Sequence, residues 1–162
     1  MKKLFSLMVC LTVVCFTISS FAEQKREFST FRIIPPEGWG IVEKPPQNTV
    51  NFKHPLGYLG FSVQWDAPAY SKEDMLSEPV IQALTENYQM QFPEFERWSG
   101  KRSLFNQLDA LEIIGTYQSE EVKVIMFMGK KWVFSITYGT FVDGHKVDVD
   151  AVRKSLATFE ET

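Results

Sequence analysis

Two histidines, His54 and His145, and no cysteine beyond residue 15 set narrow terms for any chemistry in this chain. A nucleophilic serine needs a base beside it. The sequence has no Gly-x-Ser-x-Gly elbow and no Ser-x-x-Lys pair. Ser62, Ser99, Ser103 and Ser135 would each need a histidine in contact, which spacing alone does not show. Asp143, His145, Asp148 and Asp150 cluster oxygen ligands suited to a hard cation. That stretch lacks the spacing and closing glutamate of a calcium-binding loop and holds Lys146 inside it, so it reads as a solvated turn leading into a helix cap. Glu120-Glu121 reads as part of a hairpin turn, where both carboxylates stay solvated and ionised. Gly38, Gly57 and Gly60 precede no helix as a phosphate-cradling loop requires. No catalytic residue, metal ligand or cofactor site is assigned, and an enzyme is not expected.

The remaining signal is aromatic and cationic. Phe, Tyr and Trp make up 14% of the chain, enough to leave some free of the core. The segment from Phe92 to Arg102, read as a connection, mixes Phe95, Arg97, Trp98, Lys101 and Arg102. Trp and Arg recur as anchors of binding interfaces, which makes these five the candidate partner-binding residues. The alternative is that Phe95 and Trp98 close the core over the sheet edge.

The elements that would position them begin after a leader. Lys2 and Lys3, an apolar run from Leu4 to Ile18 and small residues at Ser20 and Ala22 predict a signal peptide over residues 1–22, cleaved before Glu23. The rival, an uncleaved anchor, is disfavoured because the run is short of the ~20 residues of a membrane span. A periplasmic or secreted location follows. Cys10 and Cys15 leave with the leader, so neither a disulfide nor a thiol site is expected in the 140 residues that remain of 162. Loss of Lys2 and Lys3 takes the basic count from 17 to 15 against 20 acids, a net charge of −5. That balance argues against nucleic acid as a partner. No repeat or linker divides residues 23–162, which are read as a single domain without an integral membrane span.

Phe28 to Ile34 reads as a strand ended by Pro35-Pro36, and Tyr58 to Trp65 alternates apolar and polar residues as a half-buried strand does. Ser71 and Asp74 predict a capped turn, followed by a helix from Pro79 to about Gln91 with Ile81, Leu84 and Tyr88 on one face, widened by Val80. Three strands then follow between Asp109 and Gly139. In the second, Val122, Val124, Met126 and Met128 face one way and Ile125 and Phe127 the other, so it should be covered on both sides. Gly129-Lys130 is expected to turn the second strand into the third with Gly129 at positive φ. Val149, Val152, Leu156 and Phe159 predict a last amphipathic helix from about Asp148. The fold class is α/β (α+β): a mostly antiparallel central sheet sandwiched between helices.

Phe31-Arg-Ile33-Ile-Pro-Pro36-Glu-Gly38-Trp39 resembles the opening F-x-I-x-x-P-x-G-W of PsbP-like and DcrB-like domains, and Val152 to Phe159 resembles the last helix of that family. The resemblance covers nearly all of the chain after the leader. It implies an α/β/α sandwich found in thylakoid-lumen PsbP proteins, a Ran-binding nuclear import factor and exported bacterial DcrB-like proteins. Type VI secretion effector chaperones share the fold but lack an export signal. The family implies a protein-binding platform with no shared catalytic set. The expectation is an exported, non-catalytic accessory domain that binds another envelope protein. The alternative is a carrier of a small hydrophobic or lipid-like ligand lined by Met126, Met128, Phe134 and Trp132. A small hydrolase of unrecognised site comes third.

Overall fold

The computed structural model describes residues 25–42, 47–142 and 144–162. The segment read as a signal peptide, with Cys10 and Cys15, lies outside the described residues, as do Pro45-Pro46 and Asp143. The described residues open with β1 (Arg26–Glu27), β2 (Phe31–Ile33) and β3 (Gly40–Ile41), then β4 (Thr49–Lys53) and β5 (Leu59–Asp66). Two helices follow, α1 (Lys72–Met75) and α2 (Glu78–Gln91). The chain continues through β6 (Arg97–Phe105), β7 (Leu108–Tyr117), β8 (Glu120–Met128) and β9 (Val133–Gly139). It closes with a ribbon of β10 (Phe141–Val142) and β11 (His145–Lys146), then α3 (Val149–Leu156) and β12 (Glu160–Glu161).

Seven strands form one antiparallel sheet in the order β3-β4-β5-β9-β8-β7-β6. The three strands expected between Asp109 and Gly139 are its β7, β8 and β9. Phe28 to Ile34 does not join it. There β2 pairs with β1 and β12 in a separate three-stranded sheet.

Three local expectations are corrected. The connection expected from Phe92 to Arg102 contains most of β6, which pairs with β7 at every position from Arg97↔Thr116 to Phe105↔Leu108. Its residues, RWSGKRSLF, carry no apolar alternation because the strand lies at the sheet edge, where pairing to β7 rather than burial specifies it. Glu120 and Glu121 belong to β8, and the turn before them uses Gln118 at φ 54°. Gly129 is not among the residues at positive φ; the hairpin loop is Lys130-Lys131, closed by the Gly129 N–H donating to the Trp132 carbonyl at 2.8 Å.

The alternation in β8 and β9 divides two cores. On one face Phe127, Phe134 and Ile136 pack with Phe31 and Ile33 of β2, Val152 and Leu156 of α3, and Phe159 just beyond that helix. Asp148 caps α3 by accepting from the Ala151 N–H at 3.0 Å. On the other face Leu111, Ile113 and Val124 pack with Met75, Leu76, Ile81 and Trp98. The Ser71 hydroxyl caps α1 by accepting from the Asp74 N–H at 3.0 Å, and Pro79 stands in the first turn of α2, where its missing N–H is not needed. Gly100 lies directly under α2, so close that an added Cβ would stand 2.6 Å from Thr85 Oγ1.

Candidate functional site

The five candidate partner residues separate by chemistry. Trp98 is 7% exposed and lies over Gly115, where an added Cβ would meet the indole at 2.7 Å. Its ring packs against Phe95 at 4.8 Å and Tyr88 at 5.0 Å, and its Nε1–H donates to the Phe92 carbonyl at 3.4 Å. Phe95 is half-buried beside it. The aromatic pair therefore closes the core beneath α2. Arg97, Lys101 and Arg102 are exposed along β6.

The two histidines, distant in sequence, bracket one tyrosine. The His54 ring stacks on Tyr58 at 4.5 Å, and His145 stacks on the same ring at 5.1 Å. The Tyr58 hydroxyl donates to the Lys146 carbonyl at 2.6 Å, and His54 Nδ1 accepts from the Leu56 N–H at 3.1 Å. Both imidazoles are thus held against the same phenol ring. Among the described residues, no three His, Cys, Asp or Glu side chains converge on a point that could hold a metal ion.

A concavity runs beside α2. At the N-terminal end of the helix it measures about 500 Å³, with Val80, Ala83 and Leu84 on one wall and Met126, Met128 and Val133 on the floor. Met75, Ala67, Ala69 and Tyr70 complete that end. Towards the C-terminal end a second hollow of about 870 Å³ runs past Tyr88, Phe92 and Thr137. The two share Leu84, Asn87 and Met126, so they form one groove between helix and sheet. Partial burial raises the Tyr88 phenol above its ordinary pKa by desolvation, which keeps it neutral.

The lining expected for a ligand carrier is half corrected. Met126 and Met128 are on the groove floor, but Phe134 is fully buried on the opposite face of the sheet and Trp132 packs with that other core. Adjacent strand residues alternate faces, so no single pocket can take Met126 from β8 and its cross-strand neighbour's flanking Phe134 together. The wall formed by Val80, Ala83 and Leu84 adds to that expected lining. The signal available was Val80, which widens the apolar arc of α2 beyond what packing of Ile81 requires.

Two solved structures are similar to this one in fold. Cyanobacterial PsbP (CyanoP) from Synechocystis sp. PCC 6803 matches with a TM-score of 0.58 at 11% identity, over 86% of this chain and 92% of that one. The fold is PsbP-like. A protein from Bacteroides thetaiotaomicron VPI-5482 matches with a TM-score of 0.50 at 12% identity over 82% of this chain, which spans 45% of that protein's length. No family model matches the sequence, and no curated protein does. At such identities the likeness is one of fold, and function has to be argued from the groove and the surfaces of this PsbP-like domain.

Charge is distributed unevenly over the PsbP-like frame. On the sheet face away from α2, Glu112 lies 3.7 Å from Lys101 and 3.4 Å from Lys123. At the mouth of α1, Lys72 pairs with Asp109 at 2.5 Å, a hydrogen bond that raises the lysine pKa. Among the described residues no helix is long and apolar enough to cross a membrane.

Proposed function

We propose that this is an exported, non-catalytic protein-binding domain of the cell envelope that receives an apolar segment of its partner in the groove beside α2. The observation carrying this reading is the continuity of the groove along the helix. A helix of 14 residues is about 21 Å long, the reach of a peptide segment. Towards the N-terminal end of α2 the groove's lining is mainly apolar, and polar side chains such as Asn87 and Gln91 follow along the helix, which suits an apolar segment that remains part of a larger protein. A photo-crosslinking residue at Ala83, tested in cells against the same residue at Lys154 on α3, checks it. The expected result is one discrete protein adduct specific to position 83. Equal adducts at both positions would remove the reading.

A second reading, a carrier of a lipid-like ligand, is favoured by one observation. The thioethers of Met75, Met126 and Met128 surround the hollow of about 500 Å³, within the range of small-ligand sites. Native mass spectrometry of protein purified without detergent separates the readings: a co-purified lipid mass lost in Ala83→Arg supports the carrier.

A further inference from the structure

The seven-stranded sheet has two edges of unequal character. One is β3, only two residues long. The other is β6, nine residues in unbroken register with β7. Among the described residues, no backbone group of Arg97–Phe105 bonds to a turn, loop or cap. An edge strand carries alternate N–H and C=O groups directed away from its one neighbour, a template for another strand.

The side chains along this edge select the strand it would accept. Arg97, Lys101 and Arg102 are exposed, in a chain whose net charge is −3. Among the described residues Arg97 and Arg102 make no ion pair, while Lys101 reaches Glu112 only at 3.7 Å. Leu104, 70% exposed, adds an apolar foothold near the hairpin end of the strand. Basic residues on an edge deter pairing with like strands. A second copy is disfavoured directly: antiparallel pairing centred on Lys101 would set Lys101 opposite its own copy and bring the two Arg102 side chains to adjacent diagonal positions. The same charges favour a strand that places carboxylates opposite them.

We propose that β6 is a docking edge for an extended acidic segment of a partner protein, which adds to the sheet as an eighth strand next to Arg97–Phe105. Main-chain hydrogen bonds would hold the segment; carboxylates on one of its faces would be read by Arg97 and Lys101, while its other face would meet Arg102 and Leu104. An apolar residue would rest on Leu104. The inference rests on the reading of the domain as protein-binding but not on the groove, which opens on the β8–β9 flank of α2.

The test uses the full mature chain and two blocked nine-residue peptides, one alternating Glu and Val and the other Lys and Val. Binding is read by fluorescence anisotropy, and the site by amide hydrogen exchange. The expected result is binding of the Glu peptide at least about tenfold tighter than the Lys peptide, with slowed exchange confined to β6. Combined Arg97→Glu and Lys101→Glu, which share the face away from α2, should reverse the preference; should that variant fold poorly, Arg97→Glu alone should weaken the Glu peptide severalfold. Absence of binding, or binding that leaves β6 exchange unchanged, overturns the proposal. Ala83→Arg, which obstructs the groove, should leave peptide binding intact. Loss of the groove crosslink with retained β6 protection would overturn the groove reading alone.

Discussion

The carboxylate of Glu161 rests against Gly129, so near that a Cβ on that glycine would stand 2.5 Å from Oε2. From there it accepts backbone N–H groups of the β8–β9 hairpin: Lys130, Lys131 at 2.8 Å and Trp132 at 3.2 Å. β12 is thereby fastened to the turn of the central hairpin. Charge-assisted bonds of this kind exceed neutral ones in strength. Glu161→Ala should lower unfolding free energy in urea by about 1–3 kcal/mol, and Glu161→Gln by less, since one acceptor oxygen remains. Gly129→Ala, which pushes the carboxylate off its donors, should resemble Glu161→Ala. A loss below about 0.3 kcal/mol in both alanine variants would show the latch to be energetically idle.

The β6–β7 turn holds the opposite opportunity. Asn106 and Gln107 both occupy left-handed backbone, at φ 47° and 70°, the pattern of a two-residue hairpin whose favoured sequence is Asn-Gly. Gln107→Gly would remove a Cβ from a conformation that disfavours it. An increase in stability of about 0.5–1 kcal/mol is expected by thermal melting. Destabilisation would mean that the Gln107 side chain contributes more than its backbone strain.

Trp98 separates packing from recognition. Truncation to alanine empties the space between Gly115, Tyr88 and Phe95, so Trp98→Ala should destabilise the domain by about 3–5 kcal/mol. Arg97→Ala and Arg102→Ala, both exposed, should change stability by no more than about 0.5 kcal/mol. Denaturant midpoints of the three variants decide this. A stable Trp98→Ala would place the indole outside the core.

Glu160 supplies a pH dependence. Its carboxylate accepts from Lys25 at 2.6 Å and Arg32 at 2.6 Å, contacts that lower its pKa below the ordinary carboxylate value, Lys25 first. A depressed folded-state pKa contributes stability above the unfolded-state value that is lost as pH falls through the folded one. The melting-temperature difference between the native chain and Glu160→Gln should therefore be present near neutral pH and vanish below the acid range of a free carboxylate. Salt should reduce it, because all three side chains are solvent-exposed or partly so. A difference that persists unchanged at low pH would assign it to something other than ionisation.

Periodicity in the sequence was sufficient wherever burial is what specifies an element. The two-sided apolarity of Val122 to Met128, the stripe of Ile81, Leu84 and Tyr88, and the face of Val149, Val152 and Leu156 each dictated a strand or helix and the face it buries, because a fixed repeat of 2.0 or 3.6 residues converts directly into direction. The PsbP-like order of elements was legible for the same reason. Long-range pairing was not. β6 is a strand because β7 lies beside it, and no alternation in Arg97 to Phe105 announces that neighbour. Gly129 reads as a turn glycine until Glu161, distant in sequence, is seen to lie against it. Met126 and Phe134 look like one pocket until the sheet puts them on opposite faces. The groove, the basic edge and the histidine pair around Tyr58 arise only when separate segments meet, and tertiary contact alone decides which residues those are.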